Sequence, residues 1–132
     1  MTVVIVLSKP KTLLEVFTGM NLSETISKDE VLTEAQFQAL VIEMATDIYG
    51  WEVFHDGDSR RSNAGFPDLV LVKDGKLIFA ELKKEKESYP SKDQRKWLAK
   101  LGQVMKSSDN VLAVLWRPSS NWQEVLSGKA WG

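Results

Sequence analysis

The chain has 132 residues, the size of one domain, and 43% are hydrophobic, enough for one sizeable core. Lysine and arginine number 17 against 18 acids, so the net charge is −1 and no global positive field favours a polyanion. Any nucleic-acid surface must then be a local basic stripe. Cysteine is absent, which excludes disulfides and thiolate metal sites.

Residues 1–31 read as an appendage to the domain that follows, with Val3 to Leu7 strand-like and Thr12 to Met20 a short helix after Pro10. Asn21 to Asp29 is a polar connector. The Val3–Leu7 run is too short to span a membrane and lacks a basic flank and a small-residue cleavage site, so a cytoplasmic location is expected. The spacing of Phe37, Leu40, Val41, Met44 and Ile48 predicts a helix from about Glu34 to Ile48, opened by a Thr33/Gln36 capping box. Trp51 to Asp56 reads as a strand and Gly57 to Gly65 as a polar loop.

The next segment carries the chemistry. Val70–Val72 and Leu77–Phe79 are strand-like, and Asp74-Gly75 between them suits a two-residue type I′ turn, which needs positive φ at both positions. That turn opposes Lys73 to Lys76 and, further out, Asp68 to Glu81. Alternation puts Lys83 on the face of Glu81. Opposed side chains in an antiparallel pair have Cβ atoms about 5 Å apart. Two charges at that distance repel by roughly 3 kcal/mol at an effective dielectric of 20. Two arrangements offset this: a divalent cation held by oxygen ligands with Lys83 beside it, or a salt-bridge cluster in which Lys83 alone neutralises the acids.

Ser91 to Met105 is a second amphipathic helix with a Ser91/Gln94 capping box, Val111 to Trp116 a buried strand, and Ser120 to Leu126 a last short helix. Both faces of the hairpin are apolar, so helices should cover both. The expected fold is α/β, a mixed sheet flanked by helices in the order α-β-β-β-α-β-α.

Several other residues bear on a site. Glu34, in the first turn, points toward the sheet edge, although acids there also suit the helix dipole. Gln94 heads the inward stripe of its helix besides serving its cap. Ser59, Arg60 and Arg61 on a loop suit phosphate oxygens as well as a solvated role. His55, the lone histidine, has no zinc-like spacing with Asp56 and Asp58. Apolar Trp and Val residues near the C-terminus, or the N-terminal arm, are candidates for a subunit interface.

Pro67-Asp68, followed thirteen positions on by Glu81-Leu82-Lys83, resembles the PD-(D/E)xK nucleases, and within them the virus-type replication-repair nuclease (VRR-NUC) domain. The likeness covers roughly Leu32 to Leu126 within a domain of residues 32–132. It includes Thr33-Glu34, Gly50-Trp51, His55, Asp58-Ser59-Arg60-Arg61-Ser62, Gly65-Phe66-Pro67-Asp68-Leu69, Ala80-Glu81-Leu82-Lys83, Gln94 with Trp97-Leu98, and Trp116-Arg117-Pro118.

The resemblance implies a restriction-endonuclease-like core. It further implies Mg2+ or Mn2+ held by Asp68, Glu81 and the Leu82 main-chain carbonyl, with Glu34 contributing nearby. Lys83 would orient the attacking water, Gln94 would support the site, and His55, Ser59, Arg60 and Arg61 would face DNA. The implied activity is metal-dependent cleavage of DNA phosphodiester bonds. Short viral and bacterial members act on branched DNA as homodimers, in the manner of Holliday-junction resolvases. The alternatives are a catalytically inactive DNA-binding module of the same fold and a metal-dependent phosphatase acting on small esters.

Overall fold

The computed structural model describes residues 32–55 and 64–131. The expected N-terminal strand, helix and connector, the 56–63 segment with Ser59, Arg60 and Arg61, and Gly132 lie outside the described residues. Helix α1 spans Glu34–Glu43 and is followed by a π-helical turn, Met44–Ile48. Strands β1 (Glu52–His55), β2 (Leu69–Lys73) and β3 (Lys76–Leu82) come next. Helix α2 (Lys92–Lys106), strand β4 (Val111–Trp116) and helix α3 (Trp122–Leu126) complete the chain. The protein is α/β, with a four-stranded mixed sheet in the order β1-β2-β3-β4. The first two pairings are antiparallel and β3 with β4 is parallel. No described helix is long and apolar enough to cross a membrane.

Local chemistry explains each boundary. Thr33 Oγ1 accepts from Gln36 N–H (3.1 Å) while Gln36 Oε1 accepts from Thr33 N–H (3.0 Å), so α1 starts at the expected capping box. Ser91 and Gln94 do the same for α2. Asp74 and Gly75 both have positive φ, 49° and 77°, and the β2–β3 register pairs Lys73 with Lys76 and Leu69 with Ala80. The hairpin is the one the Asp-Gly pair predicts.

Two expectations need correction. Periodicity puts Ile48 in the buried stripe of the first helix, but it is 48% exposed. The π-helical turn bonds Tyr49 N–H back to Met44 O (3.1 Å), five residues away, so each residue turns through a smaller angle and the stripe slips out of phase by Ile48. The interface expected from C-terminal apolar residues meets a similar obstacle, because Trp116, Trp122, Val125 and Leu126 are all buried in the core. Trp122 packs edge-on against Phe37 of α1 (ring centroids 5.8 Å), and Trp51 Nε1–H donates to Leu126 O (2.9 Å).

The sheet is covered on both sides, but unequally. Leu69, Leu71, Ile78, Ala80 and Leu82 are fully buried and belong to one core with α1, Trp51, Trp116 and α3. On the other face Phe66 bridges Phe79 (6.1 Å) and Trp97 of α2 (5.0 Å). Helix α2 connects two parallel neighbours, so it lies against β4 and leaves the β1–β2 side open. Phe54 on β1 and Val72 on β2 accordingly stay exposed, at 62% and 47%.

Candidate active site

The site forms where the β2–β3 ladder stops. In a two-residue hairpin the hydrogen-bonded pairs alternate, here 73/76, 71/78 and 69/80, so the next would be Pro67 with Leu82. Proline has no N–H to donate. The ladder ends, and Leu82 N–H donates instead to Asp68 Oδ2 (2.8 Å). The intervening pair, Asp68 and Glu81, falls at a position without ladder bonds, where opposed Cα atoms come within about 4.5 Å and side chains approach closest. The two acids therefore stand face to face, as the hairpin geometry predicts.

Helix α2 supports the second acid. Gln94 Nε2–H donates to Glu81 Oε1 (2.7 Å), while Gln94 Oε1 accepts from Ser91 N–H (2.7 Å). One side chain thus completes the helix cap and holds the Glu81 carboxyl. Gly65 makes this close approach feasible. Its φ is +83°, and a Cβ there would lie 2.3 Å from the Asp93 carbonyl carbon. A glycine is needed wherever two backbones meet this tightly.

Asp68 Oδ2 and Glu81 Oε1 are thus committed to Leu82 and Gln94, and the two side chains also hydrogen-bond to each other when Glu81 carries its proton. Glu81 is 1% exposed, yet among the described residues its ionised Oε2 has no hydrogen-bond partner. A buried acceptor without a donor is costly and uncommon. Burial, then the negative charge of Asp68 opposite, pushes the Glu81 carboxyl up to about 8. Burial also raises Asp68 above its ordinary value, against the lowering effect of the Leu82 N–H. Lys83 is buried too; its Nζ stands 3.7 Å from Glu34 Oε1, and its charge draws both acids part of the way back down.

Glu34 reaches this cluster from α1. Its Oε1 accepts from Ser88 Oγ–H (2.9 Å) on the β3–α2 connection. It faces Lys83 and adds negative potential at Asp68 and Glu81. Among the described residues no group of three or more His, Cys, Asp or Glu side chains gathers closely enough to hold a metal alone. Once Glu81 gives up its proton, Asp68 and Glu81 are nevertheless an all-oxygen donor pair with excess negative charge, which is what a hard divalent cation binds.

The site therefore brings together Glu34, Asp68, Glu81, Leu82, Lys83 and Gln94. His55 closes β1 opposite Leu69, at the same end of the sheet. Alternation puts it on the face away from the carboxylates, and it is exposed. Ser88 and Arg117 were missed as site neighbours in the sequence. Arg117 stands in the Trp116-Arg117-Pro118 run, but nothing in its spacing shows which segment it would grip. Comparison with family models, with curated proteins and with solved structures finds no match to this chain.

Proposed function

We propose that this chain is a Mg2+- or Mn2+-dependent nuclease that hydrolyses DNA phosphodiester bonds, with a PD-(D/E)xK core of the VRR-NUC kind. The observation that carries the reading is the Asp68–Glu81 pair, a half-buried acid against a fully buried one, in which the ionised Glu81 Oε2 has no donor among the described residues and Lys83 stands beside it. In the metal-free protein a proton shared with Asp68 meets that oxygen, and a bound cation would take the proton's place. Helix, three strands, helix and strand around a four-stranded mixed sheet also agree with a restriction-endonuclease-like core.

Asp68 and Glu81 would hold the cation, with the Leu82 main-chain carbonyl as a further oxygen and Glu34 tuning the charge. The bound ion supplies Lewis acidity at the phosphate and a more acidic water. Lys83 places a positive charge where negative charge grows on the phosphate oxygens and orients the attacking water by hydrogen bonding. Gln94 and Leu82 N–H keep one oxygen of each carboxylate fixed, so the other points into the site before substrate arrives. Such preorganisation on a rigid strand pair is the main source of electrostatic catalysis. Branched DNA cut by a homodimer is the substrate geometry we infer from the resemblance, since two strands at a junction suit a twofold assembly.

The test is incubation of supercoiled and branched DNA with Mg2+ or Mn2+. Cleavage by wild type, lost in Asp68→Ala and Lys83→Ala while DNA binding persists, supports the enzyme. Binding with no cleavage under any metal supports an inactive DNA-binding module instead. A monomer in sedimentation under cleavage conditions removes the paired-cut version.

A further inference from the structure

We infer that Arg117, acting through Ser88, is a positioning residue for Glu34 and hence for Lys83; this rests on the nuclease reading of the site. The connection from β3 to α2 is held by the connection from β4 to α3. Arg117 Nη1–H donates to Lys84 O (2.7 Å) and its Nη2–H to Ser88 O (2.7 Å). The planar fork of the guanidinium thus grips two main-chain carbonyls four residues apart, which a lysine ammonium reproduces poorly. Two residues on, Ser119 N–H donates to Glu85 Oε2 (3.0 Å) and Ser119 Oγ–H to Glu85 Oε1 (2.5 Å). Arg117 itself is set by Ser120 Oγ, which accepts from Arg117 N–H (2.8 Å). Its guanidinium carbon lies 5.9 Å from the Tyr89 ring centroid, a cation–π contact on the outer side.

The output of this clamp is a single hydroxyl. Ser88, whose carbonyl Arg117 holds, donates its Oγ–H to Glu34 Oε1 at 2.9 Å. That same oxygen stands 3.7 Å from Lys83 Nζ. Glu34 is 46% exposed on its side chain and has several rotatable bonds, so without a fixed donor it would swing toward solvent. The backbone also shows that the strap is constrained: Glu87, next to Ser88, has φ +59°, a left-handed conformation that a non-glycine residue adopts only when held. Arg117 needs no contact with DNA or metal in this role. It sets where Ser88 sits, Ser88 sets where Glu34 points, and Glu34 sets which way the Lys83 ammonium leans.

The experiment is steady-state cleavage of branched DNA by Ser88→Ala, Ser88→Thr, Arg117→Lys, Arg117→Ala and the Arg117→Ala/Ser88→Ala double variant. A hydrogen bond to a charged group translates to a rate loss of about tenfold. We expect Ser88→Ala and both arginine variants to lose about that much in kcat with KM within about twofold. Ser88→Thr, which keeps the hydroxyl, should stay near wild type. The double variant should be no slower than its slower parent, because both changes break one chain of contacts. Multiplying losses, an inactive Ser88→Thr, or a fully active Arg117→Ala each overturn the inference.

If wild type cleaves no DNA, the nuclease reading fails, and the clamp is judged by unfolding free energies. Coupling between Ser88→Ala and Glu34→Gln that disappears on the Arg117→Lys background upholds the clamp. Absence of coupling, or coupling that survives Arg117→Lys, refutes it.

Discussion

Replacing Glu81 by Gln should make the metal-free protein more stable at alkaline pH. Glutamine keeps the shape and still accepts from Gln94, but it removes a buried negative charge. Its new amide group can donate to Asp68. At about 5 Å, the expected cross-strand separation, the Asp68–Glu81 repulsion is roughly 3 kcal/mol at an effective dielectric of 20. The lost attraction to Lys83 offsets part of that, leaving a net gain of about 1–3 kcal/mol at pH 9.

The pH dependence follows from the raised carboxyl. Glu81 has its ordinary value of 4.5 in the unfolded chain and about 8 in the fold, so the native state holds the proton more tightly. Its contribution to stability is full below pH 4.5, declines as pH rises toward 8, and is flat above. Glu81→Gln lacks this decline, so the two proteins should converge near pH 5 and diverge at pH 9. Urea unfolding in EDTA at both pH values measures it. Added Mg2+ should then raise the stability of wild type at pH 9 and leave Glu81→Gln unmoved. A less stable Glu81→Gln at pH 9 in EDTA would refute the reasoning, since it would mean that Lys83 already neutralises the pair and no cation is wanted.

Gly65→Ala should cost about 1–3 kcal/mol or more, because its Cβ would overlap the Asp93 backbone and push the start of α2 outward. Thermal unfolding reads the loss, and a weakened response to Mg2+ reads the displaced Gln94–Glu81 contact. Gly75→Ala has open space around the added carbon and suffers only the positive-φ penalty, about 1–2 kcal/mol, with the response to Mg2+ intact. On the proposed nuclease function, Lys83→Met should keep DNA binding in EDTA while cleavage falls by about a hundredfold or more, measured by single-turnover kinetics on a labelled junction. Gln94→Ala should weaken the Mg2+ response more than it weakens the fold, because the Ser91 cap retains its hydroxyl while Glu81 loses its only described donor.

How much of the site could be read before folding depends on the range of the interactions. The facing of Asp68 and Glu81 was legible because strand pairing across a two-residue turn is a local matter: Asp74 and Gly75 select the turn, and the turn sets every later pair. Both capping boxes were legible for the same reason, since each is closed within four residues. Helical phase was not local enough. Periodicity alone predicts one α-helical phase through to Ile48, whereas the last five residues form a π-helical turn just before Tyr49 and Trp51, which pack on the core.

The amino-acid order by itself determined an α/β chain with a hairpin that opposes two acids and keeps a lysine on their face. Only tertiary structure decided what surrounds them. Gln94 meets Glu81 because α2 returns antiparallel to its neighbouring strands, and Gly65 lets it come close. Glu34 meets Lys83 from a helix forty-nine positions earlier in the chain, and Arg117 holds Ser88 from the far side of β4. Those contacts join segments whose spacing in sequence says nothing of their distance in space, because closing a long loop is repaid only by the assembled core.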